Sequence, residues 1–302
     1  MTQVFIVRNW FAIILLLVLE ATIGTFYHVL PGFQTSFFSE TAVAMLATVV
    51  GLFLALRFNN AYDRWWEARI LWGQMVNNSR SFARQVTTLL RERHMPEPGT
   101  LQTTQRRLVM RQVAIVNALR LRLRGQDDQV EELAPFLSKE ELDETAAHTN
   151  RPTTLIRQQG RELADLLGRD TKDTVLLARF DATLSNLLDV QGGCDRIKGT
   201  AFPDDVRALT LVLVWGIALL IPVVFLEADE PMYFIKQVGV LFVAVAFFVV
   251  YQLSLELMNP FENRANDTPM TAICINIERD LRELIGDTEL PPPSQPVNGI
   301  LM

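Results

Sequence analysis

Long apolar runs alternate along the chain with stretches in which apolar residues recur every three or four positions. Two nineteen-residue windows carry no charge at all, Ala208 to Leu226 and Gln237 to Leu255. As helices each reaches about 28 Å at ~1.5 Å per residue, close to the ~30 Å hydrocarbon core of a bilayer. Two earlier runs are less uniform: Trp10 to Leu30 is interrupted by Glu20, and Thr41 to Leu56 supplies sixteen uncharged residues after Glu40. Both are also expected to span, giving four membrane helices. A cleaved signal peptide is the competing reading of the first run. One arginine, Arg8, precedes it and residues 22–27 offer no small-x-small cleavage site, so retention is expected.

The region between the second and third runs has a different period. Val76 to Arg91, Arg106 to Leu123, Lys139 to Ala147 and Leu155 to Leu167 place apolar residues at helical spacing, and strand-like alternation is nearly absent. Ser138 and Glu141 form a capping box behind Pro135, and RERHMPEPGT (91–100) reads as a turn. The run RRLVMRQVAIVNALRLRLRG predicts an amphipathic helix buried on one face, and Asp173 to Leu188 predicts a helix that ends at the pair Gly192-Gly193. The tail PPPSQPVNGILM cannot hold a helix and is expected to be disordered. The fold class is therefore an all-α membrane protein. Its expected parts are a first transmembrane pair (1–56), a helical cytosolic region (57–207), a second transmembrane pair (208–258), a C-terminal cytosolic helix region (259–290) and the tail (291–302).

Charge orients this arrangement. Most lysines and arginines lie in 57–207, and Arg57, Arg64, Arg69 and Arg207 flank the spans on that side, whereas 27–40 holds no lysine or arginine. Basic flanks stay cytoplasmic, so both termini and the middle region are placed inside. Tryptophans and arginines after Leu56 suit such a boundary, where a ring or alkyl stem meets the apolar zone and the polar end stays wet. Composition agrees: the 302 residues are 49% hydrophobic, and the net charge of −6 argues against nucleic acid as a partner. Cys194, Cys274 and the scattered His28, His94 and His148 follow no metal-ligand spacing. No nucleophile–base set or phosphate-cradling glycine loop is present, so neither an enzyme, a cofactor nor a metal site is expected.

One stretch carries more than a boundary signal. RFNNAYDRWWEARILWG (57–73), followed by VNNSR (76–80), resembles the signature of the bacterial bestrophin-like proteins. Further similar stretches are NRPTTLI (150–156), QGGCDRIKGT (191–200), NPF (259–261) and NDTPMTAICINIERDL (266–281), so the resemblance covers nearly the whole chain. It implies four membrane helices per subunit and a homopentamer around one axial ion pathway in the bacterial inner membrane, with lipid and permeant monovalent ions as the other partners. One departure stands out, because DDVRALT follows Pro203 where apolar and aromatic residues are expected.

A gapless match through RWW carries the family's pore-neck positions onto Thr48, Leu52 and Leu56. Positions i, i+4 and i+8 also share one helix face, so an axis could be lined by the same stripe. Rings of leucine replace none of an ion's hydration shell and close by dewetting. A register shifted by one selects Ala47, Gly51 and Ala55 instead, whose small side chains suit helix packing. The resemblance places a second, cytosolic aperture at Phe202. Arg57, Asn60, Arg64, Trp65, Trp66, Glu67, Arg69 and Trp72 are read as signature and structural residues, with inter-helix ion pairs tying the pore helix to the cytosolic body.

The family implies chloride and other monovalent anions. Glu40 and the pair Asp204-Asp205 keep a cation (sodium) channel of the same architecture open, and a non-conducting membrane scaffold is the remaining alternative. Glu20 is read as a carboxylate paired or protonated within the helix bundle. In animal members a calcium site uses an acidic run after NPF. Here NPFENRANDTPM supplies Glu262 and Asp267 with Arg264 between them, so calcium gating is not expected.

Overall fold

The computed structural model describes residues 2–29, 39–168, 170–200, 203–225 and 232–296. Every regular element among them is helical: α1 (Thr2–Val29), α2 (Glu40–Leu89), α3 (Leu101–Leu123), α4 (Lys139–Ala146), α5 (Arg151–Leu167), α6 (Thr174–Gly199), α7 (Asp204–Phe225), α8 (Tyr233–Leu257) and α9 (Met270–Leu284). Short 3-10 turns occur at Glu92–His94, Val130–Phe136 and Thr171–Asp173. The chain divides into two compact units, Met1–Trp65 with Ala201–Met258 and Trp66–Thr200 with Asn259–Met302.

In the first unit α7 packs against α8, and α1 against both. Val43, Val50 and Leu54 of α2 join Val214, Ile217, Ile221, Val240 and Tyr251 in one apolar cluster, while Ile13 of α1 packs on Ala218, Ala244 and Phe248. Among the described residues three helices are long and apolar enough to cross a membrane, within Glu40–Leu89, Asp204–Val224 and Phe234–Leu257. In α1 the apolar stretch Ile13–Phe26 is shorter. Glu20 is 4% exposed, and its Oε1 has no hydrogen-bond partner among the described residues.

The second unit is built around α3, against which α5, α6 and α9 pack. Sequence periodicity predicts one buried face for α3. The structure buries it nearly all round, from Leu108 to Leu121, because those neighbours enclose it. Its polar side chains are bonded accordingly: Gln112 Nε2 donates to Ser79 Oγ at 3.0 Å, Asn117 Nδ2 to the Val113 carbonyl at 3.1 Å, and Arg111 Nη1 to Gln159 Oε1 at 2.7 Å. Arg111 also pairs with Glu141 and Glu162, and Arg107 with Glu162. Burial pushes the Glu162 carboxyl up, but the hydrogen bond from Arg107 and the charge and hydrogen bond of Arg111 hold it below the ordinary carboxylate range. Phe82 and Phe180, both fully buried, meet edge to face with centroids 5.9 Å apart.

Local signals behave as their chemistry requires. Ser138 Oγ accepts from Glu141 N at 3.3 Å and Glu141 Oε2 accepts from Ser138 N at 2.9 Å, the reciprocal capping box that starts α4. Gly99, in the turn after α2, takes φ +82°. The apolar run from Thr41 and the helical stretch ending near Arg91 form one 50-residue helix, α2, since the stretch joining them holds no proline. One expectation is corrected: α6 runs through Gly192-Gly193 to Gly199, because Gly193 serves close packing, and a Cβ there would lie 2.8 Å from Leu71 Cδ2 of α2.

Candidate functional site

The stripe Thr48, Leu52, Leu56 lies on the outward face of α2. Leu52 is 64% and Leu56 56% exposed, and Met45 and Val49 beside them are exposed as well. Thr48 Oγ1 donates to the Ala44 carbonyl at 2.9 Å, satisfying its hydroxyl within the helix. The opposite face carries Val43, Val50, Leu54, Arg57 and Ala61, all buried. Helical geometry thus separates a packed stripe from a bare apolar one. Of the shifted set, Ala55 is exposed while Ala47 and Gly51 are half-buried, with Ala47 packed against the α2–α7–α8 cluster.

Arg57 is the charged member of the packed stripe. Its side chain is enclosed, the residue being 3% exposed, and it reaches two other helices. Nε donates to Ser254 Oγ of α8 at 3.1 Å and Nη1 to Thr210 Oγ1 of α7 at 3.1 Å, with the Val206 carbonyl at 3.5 Å from Nη1. Each hydroxyl gives its own proton to its own helix, Ser254 to the Tyr251 carbonyl and Thr210 to the Val206 carbonyl, both at 2.6 Å. Their lone pairs are therefore left to accept from the guanidinium. The guanidinium carbon also lies 5.4 Å from the Tyr251 ring centroid. Sequence reasoning named Arg57 but not these partners. Their signal was two hydroxyls in charge-free spans.

The remaining signature residues occupy several environments. Asn60, Trp66 and Arg69 are exposed, and Arg64 and Trp65 half-buried. Tyr62 and Trp65 lie with ring centroids 5.8 Å apart. Trp72 is fully buried in the core of the second unit. Glu67 pairs with Arg196 of α6, and Arg80 with Asp280 of α9. Phe202 lies outside the described residues. Glu40, Asp204 and Asp205 are exposed in the first turns of α2 and α7, where negative charge is favoured by the helix dipole.

The motifs NRPTTLI and QGGCDRIKGT meet in one polar network. Gln191 Nε2 donates to Asn150 Oδ1 at 2.8 Å, Thr153 Oγ1 donates to Gln191 Oε1 at 3.1 Å, and Arg122 Nε donates to Asp195 Oδ1 at 3.0 Å. In the loop after NPF, Glu262 pairs with Lys198 at 2.6 Å, and Asp267 Oδ2 accepts from Arg264 N at 3.0 Å. Burial pushes the Asp267 carboxyl above its ordinary range. Among the described residues no cluster of three or more histidine, cysteine, aspartate or glutamate side chains is placed to hold a metal ion.

Known proteins share this helical fold. The family described as Bacterial/Fungal Bestrophin protein matches residues 4–283. A voltage-dependent anion channel-forming protein of Mesorhizobium japonicum is 29% identical over 259 residues, covering 86% of this chain and 79% of its own. The voltage-dependent anion channel-forming protein YneE of Escherichia coli is 31% identical over 257 residues, covering 84% and 79%. A crystal structure of a bacterial bestrophin homologue from Klebsiella pneumoniae superposes with a TM-score of 0.81 at 25% identity, over 93% of this chain and 100% of that one. Sequence and fold agree, and the chain belongs to the bacterial and fungal bestrophin family.

Proposed function

We propose that this protein is an ion channel that conducts anions, chloride and other monovalent ions, through an axial pore formed by a homopentamer. The observation that carries the reading is the bare stripe of α2, with Leu52 and Leu56 more than half exposed on a helix apolar enough to span a bilayer. A lone chain leaves this face uncovered; a ring of copies turns it inward. The relatives in Mesorhizobium japonicum and Escherichia coli are named anion channel-forming proteins, which supports anions as the permeant class.

In this reading four helices per subunit, α1, the start of α2, α7 and α8, span a bacterial inner membrane, and both termini and the region 57–207 are cytoplasmic. Thr48, Leu52 and Leu56 form a neck that closes by expelling water, and Phe202 forms the cytosolic aperture. Calcium does not open the pore, because Glu262 and Asp267 are already engaged by Lys198 and by the loop backbone. Mass measurement in detergent tests the assembly: a pentamer is expected, and a stable monomer or dimer removes the axial pore. Purified protein in liposomes tests conduction. Reversal potentials in asymmetric chloride salts should follow the anion, and flux should not change between chelated and micromolar calcium. A reversible several-fold activation by calcium, lost in Asp267→Ala, overturns that part.

A second reading, a cation channel of the same build, is favoured by the exposed Glu40, Asp204 and Asp205. Reversal potentials that follow sodium would establish it. Absence of flux in every salt would leave a membrane scaffold.

A further inference from the structure

We propose that Arg57 is the positioning residue of the neck: by clamping α2 to α7 and α8 one residue after Leu56, it fixes the rotation of α2 and so the direction in which Leu52 and Leu56 point. The proposal rests on the channel reading above. Its support is geometric. Before Arg57 the packed stripe of α2 consists of Val43, Val50 and Leu54, whose contacts are apolar. Apolar contacts are non-directional and tolerate a modest turn of the helix about its axis. The fork of Arg57 is not so tolerant. Its donors are held to Ser254 on one helix and Thr210 on another, and hydrogen bonds weaken steeply as they leave alignment. Both hydroxyl groups are fully buried and each is oriented by a bond to its own backbone, so neither follows a rotating guanidinium.

Adjacency gives the clamp its consequence. Leu56 precedes Arg57 by one residue, which on a helix is a turn of ~100°. Leu52 stands one helical turn before it. Whatever rotation the clamp permits is passed rigidly to both leucines, since α2 continues unbroken through this point. A lysine at 57 retains the charge but carries its donors on one nitrogen at the end of a flexible stem, so it lacks the rigid fork that meets the two acceptors from Nε and Nη1.

The test is a double-mutant cycle read as chloride flux from liposomes. Arg57→Lys is made in the wild-type chain and in a chain carrying Leu52→Ala with Leu56→Ala. In the wild-type neck Arg57→Lys should raise flux at least about threefold, the size of a modest coupling energy between contacting groups. With the leucines already truncated, the same substitution should change flux by less than about 1.5-fold, because the side chains it aims are gone. The pair Thr210→Ala with Ser254→Ala removes the same acceptors and should reproduce the pattern, which keeps the test available if Arg57→Lys does not assemble. Thr210→Ser, restoring the hydroxyl, should return flux from the Thr210→Ala level towards the wild type. Equal effects of Arg57→Lys in both necks, or no effect in a correctly assembled protein, would show that Arg57 only stabilises the bundle. A wild type and an alanine neck that are both silent would instead remove the channel reading, and the proposal with it.

Discussion

In the unit built from α1, the start of α2, α7 and α8, outward positions are apolar: Leu52, Leu56, Val212 and Phe242 are all more than half exposed. Around α3 the outward positions carry charge, as in the pairs Arg80–Asp280 and Arg157–Glu144, while aromatic and aliphatic side chains fill a continuous core. One unit is thus organised by water, which drives its core together. The other exposes on its own the surface that water would bury, and must be completed by lipid or by further copies of the chain. Polar groups accordingly mean different things in the two. Around α3 an ion pair is one of many. At Arg57 a single guanidinium joins three helices.

The largest effect expected is on the water-organised unit. Arg111 is enclosed with Glu141, Glu162 and Gln159, so Arg111→Ala leaves Glu141 without its cation and Glu162 with Arg107 alone, and should lower the stability of α3 by roughly 3 kcal/mol. Hydrogen exchange of the full chain reads this as lost amide protection in α3; unchanged protection would mean that the network is dispensable. The same truncation chemistry on the bare stripe should separate stability from function. Leu52→Ala with Leu56→Ala should cost less than about 1 kcal/mol per site, against the ~2–5 kcal/mol of a packed leucine, while raising flux several-fold. Unchanged flux in an assembled protein would mean that the stripe does not face the pore.

A pH dependence sharpens the contrast further. The Glu162 carboxyl is held below the ordinary glutamate value near 4.5 in the folded chain, so the unfolded chain binds the proton first as pH falls. The stability it contributes is full above that value and is lost as pH drops through the lower folded one. Protection of α3 and α5 should therefore weaken below about pH 4.5, and Glu162→Gln should flatten that response. A dependence that survives the substitution points to other carboxylates. The smallest effect belongs to Arg80→Ala: its pair with Asp280 is about half exposed, and its removal should change stability by about 1 kcal/mol or less. A larger loss would show that this surface is covered in the assembly.

Charge-free windows, the capping box at Ser138 and the turn at Gly99 were legible from residues alone, because each depends on neighbours within a few positions. The family was legible too, from ordered motifs spread from Arg57 to Leu281. Other features escaped because their causes are distant in the chain. Gly193 reads as a helix end until Leu71 is found against it. Arg57 reads as a boundary cation until Thr210 and Ser254, more than 150 residues away, are brought to its fork. And α3 reads as amphipathic, since periodicity counts apolar positions but cannot count the helices that will surround them. Sequence by itself determined that the chain is helical, that its two charge-free windows are greasy enough to span and which family it belongs to, all properties of local composition and order. Tertiary structure alone decided which face of α2 is packed and which left bare, because that choice is made by side chains on other helices competing for the same surface.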